Sequence, residues 1–181
     1  MNSHNDISDG VGNFPTAAAA NAMLRALEDR GLCADPMKLQ KLLYFVHGYY
    51  LAVTDNPWVN EAFEAWDYGP VVPSIYYELK SFGGDQIKRG FTLSDMVQEG
   101  DGYRFRVAPP ATEEDNTGAQ IVSFVIDKYG QRDGVYLSNL THKVGTPWHQ
   151  IKMQNGGKIP RNADIPNELI KDYFRKLIGL N

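Results

Sequence analysis

Read for hydrophobic periodicity, the chain opens with residues 1–13, which are polar, carry two glycines and show no period, as expected of a flexible lead-in. From Thr16 the stretch TAAAANAMLRALEDR is rich in helix formers, with Ala20, Met23, Leu24 and Leu27 on one face. Thr16 is placed to cap this helix and Gly31 to end it. The next helix is better specified. Asp35 suits an N-cap and Pro36 the first helical position, where a missing N–H costs nothing. Leu39, Leu42, Leu43, Val46, Tyr49 and Tyr50 then form a wide apolar stripe that Phe45 broadens. A helix apolar over most of its circumference is buried, so this segment is expected to be the central helix, with Leu42 and Val46 in the core. Gly48 in its interior costs about 0.5–1 kcal/mol against alanine, which tight approach of a neighbouring helix would explain.

The segment NEAFEAW alternates as a short strand does, with Phe63 and Ala65 on one side and Glu64 and Trp66 on the other. Tyr68-Gly69-Pro70 turns the chain, and Val72 is biased away from helical angles by Pro73. A helix can begin at Pro73, with Ile75, Tyr76, Leu79 and Phe82 on one side, and stop at Gly83-Gly84. Residues 85–116 are weakly patterned. FTLSDM and YRFRV read as short strands, Tyr103, Phe105 and Val107 alternating with arginines, and APPATEEDNTG as a loop. Thr117 is placed to cap a helix running to about Tyr129, and further helices are expected from Val135 to Lys143, from Thr146-Pro147 through Trp148 and Ile151, and from about Pro166. The last carries Leu169, Ile170, Tyr173, Phe174, Leu177 and Ile178 on one stripe and ends at Gly179. The pattern predicts a mainly α fold: a single compact domain over residues 14–181, of about six helices, with a small hairpin-like β element around Phe63–Trp66 and a second around Tyr103–Val107.

Composition sharpens this. The 181 residues are 43% hydrophobic, 12% aromatic and 22% charged, which excludes disordered, collagenous and coiled-coil chains. A single cysteine, Cys33, excludes an internal disulfide framework and points to a reducing, cytoplasmic compartment. The first residues lack an apolar stretch, so no signal peptide is expected, and no run of 18 apolar residues exists to span a membrane. The net charge of −4 divides unevenly, −8 over residues 1–126 and +4 over 127–181. Lys143, Lys152, Lys158, Arg161, Lys171, Arg175 and Lys176 never form a run, however, and read as a solvated surface rather than a nucleic-acid footprint.

Catalytic parts are scarce. The chain has no phosphate-binding G-x-x-x-x-G-K-[ST] loop, no G-x-G-x-x-G, no H-E-x-x-H and no G-x-S-x-G. His4, His47, His142 and His149 lack metal-ligand spacing, and Gly145 and Pro147 break the one helical face that His142 and His149 could share. No catalytic residue, metal site or cofactor is predicted. Asp67 beside Tyr68 is the one acid worth inspecting for an enzyme. What the chain does have is aromatic density at turns: Trp58, Trp66, Tyr68, Tyr76 and Tyr77 within twenty residues, and Trp148 at another turn. Such rings either wedge a strand onto the helices or form a partner surface, since Trp and Tyr supply contact area at low entropy cost.

The stretches KLQKLLYFVHGYYLA and EAFEAWDYGPVVPSIYYELKSFG resemble the signature of the Panacea domain family, the phage-associated GepA-type proteins that include SocA-like antitoxins. LSNLTHKVGTPW and IPNELIKDYF resemble its C-terminal blocks, so that the likeness spans about residues 16–178 and leaves out 85–116. The resemblance implies a non-enzymatic antitoxin that binds a cognate protein toxin, expected to be the product of the neighbouring gene. Three other readings stay open: an adaptor passing the toxin to a ClpXP-type protease, for which residues 1–13 could serve as a tag, a DNA-binding regulator, and a mobile-element enzyme of unrecognised chemistry. Trp66, Tyr68, Val71, Tyr76 and Trp148 are the candidate toxin-binding residues. Leu42, Val46, Gly48, Gly69, Pro70 and Pro73 are the candidate framework.

Overall fold

A helix that is apolar nearly all round must be wrapped by other elements, and α2 (Pro36–Thr54) is wrapped. The Asp35 carboxylate accepts from the Lys38 backbone N–H at 2.8 Å, Pro36 opens the first turn, and Asp55 ends the helix in the left-handed region at φ 63°. Every residue from Lys38 to Ala52 is buried, and Leu42 and Val46 have no exposure. The computed structural model describes residues 12–180, and among these it holds seven α-helices. Around α2 stand α1 (Thr16–Asp29), α3 (Pro73–Leu79), α4 (Asn116–Tyr129), α5 (Gly134–Thr141) and α7 (Asn167–Leu177). Helix α6 (Pro147–Gln154) packs on α5 and α7 and is capped by Thr146, whose hydroxyl accepts from the His149 N–H at 3.2 Å. No helix among the described residues is long and apolar enough to cross a membrane.

Gly48 is where α7 comes closest. A Cβ at this position would collide with the Phe174 ring, which packs edge-on against Tyr44 and Tyr49 at centroid distances of 5.7 and 4.9 Å. At the end of α2 the Asp55 carboxylate meets Arg175 at 2.6 Å and Lys171 at 3.3 Å, and these two cations of α7 hold its carboxyl below the usual carboxylate range. Phe14 pairs with Val59, and Asn13 donates its N–H to the Pro57 carbonyl at 2.6 Å, so the described chain begins already bound to the body.

The small sheet has β1 (Phe63–Trp66) at its centre, flanked antiparallel by β2 (Gly69–Val71) and β5 (Ala163–Ile165). Phe63 and Ala65 are buried, while Glu64 and Trp66 are half-buried. β5 has no signature of its own. Ala-Asp-Ile becomes a strand because β1 offers it an unpaired edge, with Phe63 opposite Ile165 and Ala65 opposite Ala163. A separate ribbon joins β3 (Ser94–Glu99) to β4 (Gly102–Val107), and Met96 lies opposite Phe105. The first of these strands starts three residues beyond the Phe91 expected from the sequence; Phe91 instead packs edge-on against Phe82 at 5.0 Å. The buried amide of Asn21 in α1 pins the base of the ribbon, donating to the Leu93 and Ala108 carbonyls at 2.9 and 2.8 Å and accepting the Leu93 N–H at 2.8 Å.

Two caps differ from expectation. Thr16 lies inside the first turn of α1, its hydroxyl buried without a hydrogen-bond partner, and Pro15 occupies the cap position. Asp115, not Thr117, caps α4, accepting the Gly118 N–H at 2.9 Å; a carboxylate in the extended cap conformation reaches the third N–H, which Thr117, already helical, cannot.

Candidate functional site

The β1–β2 hairpin is held by its backbone and faces outward with its rings. Three of its carbonyls accept bonds from side chains of three helices: Trp66 from the Trp148 indole N–H at 2.7 Å, Tyr68 from the Ser138 hydroxyl at 2.8 Å and Pro70 from the Lys41 ammonium at 2.9 Å. Gln40 completes the clamp, donating to the Val72 carbonyl at 3.0 Å and accepting the Val72 N–H at 2.9 Å. Gly69 sits at φ 97°, and a Cβ there would collide with the Thr141 hydroxyl, so glycine is required by conformation and by space. Pro70 lies in β2 opposite Ala65, and Pro73 opens α3. The path from Trp66 to Pro73 is thereby tied to α2, α5 and α6.

The side chains of this path border a cavity of about 670 Å³. Trp66, Tyr68, Val71 and Tyr76 line it, joined by Tyr77 and, from the start of α2, Met37. The Trp66 indole N–H donates to Glu64 at 2.7 Å and its ring meets Tyr76 edge-on at 4.7 Å, which fixes the orientation of both. Tyr68 is 69% exposed and Tyr77 64%. Tyr76, placed by its spacing on the inner side of α3 with Ile75 and Leu79, is exposed instead; only Ile75 and Leu79 of that helix are buried. Trp148 does not border the cavity. It lies buried beneath the hairpin, where it supports the Trp66 carbonyl and stacks on His142 at 3.9 Å.

Lys41 is the buried basic group within this wall. It is 1% exposed, and burial lowers its pKa to about 7. Burial also lowers His142, whose charged form the nearby Lys41 ammonium further disfavours. His47 lies deeper in α2. It is fully buried, pushed down to about 4, and therefore neutral; its Nε2 meets the Asn167 amide oxygen at 2.9 Å and its Nδ1 lies 3.4 Å from the Val59 N–H. Those partners assign the Nε2-protonated tautomer, a structural bridge between α2, α7 and the approach to β1. Among the described residues no three His, Cys, Asp or Glu side chains converge as a metal would require; Cys33 is exposed, and His4 lies outside the described residues. Asp67 is exposed on the hairpin turn.

The candidate rings thus meet at one place, except Trp148, and the cavity adds Met37, Tyr77, Lys41 and Arg161. Lys41 carried a signal: it is a lysine between Leu39 and Leu42, within a helix that is read as buried. Arg161 carried none, because the fold of the chain past α6 brings it here.

The chain belongs to the Antitoxin SocA-like, Panacea domain family, whose model matches residues 39–149, from the first turns of α2 to the start of α6. The matched span contains the hairpin, the aromatic residues of α3 and the Trp148 support. Over 165 residues the chain is 31% identical to Antitoxin SocA of Caulobacter vibrioides (strain NA1000 / CB15N), covering 89% of this chain and 85% of that protein. No solved structure matches.

Proposed function

We propose that this chain is a cytoplasmic, non-enzymatic antitoxin that neutralises a cognate protein toxin, product of the neighbouring gene, by binding it directly through the aromatic cavity beside the β1–β2 hairpin. The observation that carries this reading is the division of labour within the hairpin: carbonyls tied to Trp148, Ser138 and Lys41, side chains turned to the cavity and solvent. A surface whose backbone is already ordered loses little entropy on binding, and exposed Tyr and Trp on it are the residue types that dominate interface energetics. Trp66, Tyr68 and Tyr76, with Tyr77, are the contact rings; Val71 lines the floor, and Trp148 supports them from beneath. The protease-delivery route rests on residues 1–13, of which 1–11 lie outside the described residues.

The test is Tyr68→Ala in cells that express the chain together with the toxin from the adjacent reading frame. Tyr68 is 69% exposed and its backbone bond to Ser138 does not involve the ring, so the melting temperature stays that of the parent. Growth rescue is lost, because truncating an interface hot spot costs about 2 kcal/mol or more. A folded variant that rescues as the parent does contradicts the reading.

A further inference from the structure

We propose that the cavity beside the hairpin receives a carboxylate of the bound protein partner, held by the Lys41 ammonium in its wall with Arg161 at its rim; this rests on the antitoxin reading above. Among the described residues Lys41 lacks a counter-charge. Lys41 is 1% exposed, yet its ammonium has a single acceptor, the Pro70 carbonyl at 2.9 Å, and among the described residues no carboxylate lies within salt-bridge distance of it. An ammonium offers three donors, and burying it without an opposite charge is costly. Lys38, one turn earlier on the same helix, is better supplied: its ammonium donates to the Cys33 and Gly130 carbonyls at 2.8 and 2.7 Å, and although burial lowers its pKa, Asp35 and Asp133 offset part of that loss.

The position of Lys41 says where the counter-charge comes from. It borders the 670 Å³ cavity, and the exposed Arg161 borders it too, against one exposed acid, Asp67. The remaining wall is mostly apolar and aromatic, with Met37, Trp66, Val71 and Tyr76, and its other polar side chains, Gln40 and Asn162, carry no charge. The charge and the shape together fit an acidic group carried on an apolar or aromatic stem, such as a partner's chain terminus or an Asp or Glu beside a ring. A lysine ammonium rides on a flexible four-carbon stem, so it can leave the Pro70 carbonyl for a carboxylate entering the cavity. His142 at the end of α5 lies near Lys41 and adds no competing anion; its Nε2 is buried without a hydrogen-bond partner.

The experiment uses the full chain with small probes and needs no toxin. Lysine side-chain NMR follows the Lys41 titration while 3-phenylpropionate, or its neutral analogue 3-phenylpropionamide, is added. Two capped peptides then separate the sources, one ending in Phe with a free carboxylate and one amidated with Glu beside Phe. The expected result is that phenylpropionate binds at least about tenfold tighter than the amide and raises the Lys41 midpoint above its starting value near 7. Lys41→Met and Lys41→Gln remove that preference while amide binding survives, and the tighter peptide names the kind of carboxylate. Equal binding of acid and amide, a preference that survives both variants, or no binding of any carboxylate overturns the proposal. The wild-type NMR result stands without either variant should one fail to fold. The two readings fail separately: rescue by the parent and undiminished rescue by Lys41→Met would overturn the carboxylate anchor alone, whereas a parent that rescues no toxin would overturn the antitoxin reading and leave the probe result intact.

Discussion

Lys41 and His47, two of the buried basic side chains of α2, make the stability of this protein depend on pH in the same direction. The unfolded chain keeps the Lys41 proton up to its ordinary 10.5, whereas the folded chain releases it above about 7, so folding expels a proton between these values. Stability therefore rises with pH across that window, by up to about 1.4 kcal/mol per unit, and Lys41→Met lacks this slope. His47 works one step lower. Its folded value near 4 lies beneath the unfolded 6.5, so the stability it contributes is complete above 6.5 and is lost as pH falls toward 4. Urea melts of the parent and of His47→Gln, taken as a difference so that the carboxylates cancel, show the parent losing up to about 1.4 kcal/mol per unit more than the variant across that window. A difference independent of pH would contradict the neutral, Asn167-bonded histidine.

At the scale of elements, α2 organises the rest. Leu42 has no exposure at the middle of this helix, and Leu42→Ala is expected to cost ~2–5 kcal/mol in a urea melt. A loss far below that range would mean that α2 is not the core. This helix was legible in the sequence because local and global signals coincide there: the Asp35 cap, Pro36 in the first turn and an apolar stripe without interruption. β1 was legible from its alternation, and α7 from its clean stripe, with Gly48 marking the close approach that Phe174 makes. β5 was not, because three residues without alternation become a strand only through an edge provided a hundred positions earlier. The β3–β4 ribbon lies between these cases. Tyr103, Phe105 and Val107 alternate as a buried face would, yet all three are exposed, because nothing in the described chain covers that side of the ribbon. Periodicity reports that residues share a face, not what packs against it.

For the whole molecule, the candidate site was legible to the extent that it is local. Trp66, Tyr68, Val71 and Tyr76 are within eleven positions of each other, and one hairpin and one helix bring them to one cavity. Lys41 and Arg161 join them from distant parts of the chain, and Trp148 reaches the same place from below rather than at the surface. Among the exposed apolar features of this antitoxin-family domain are the cavity beside the hairpin and the face of the ribbon that carries Met96, Tyr103, Phe105 and Val107. Hydrogen exchange of the chain, free and bound to its toxin, compares them directly. The account predicts that the toxin slows exchange across residues 66–78 and 159–162 and leaves residues 94–107 as they are in the free chain. Slowed exchange in the ribbon, with the hairpin and α3 unchanged, would contradict it.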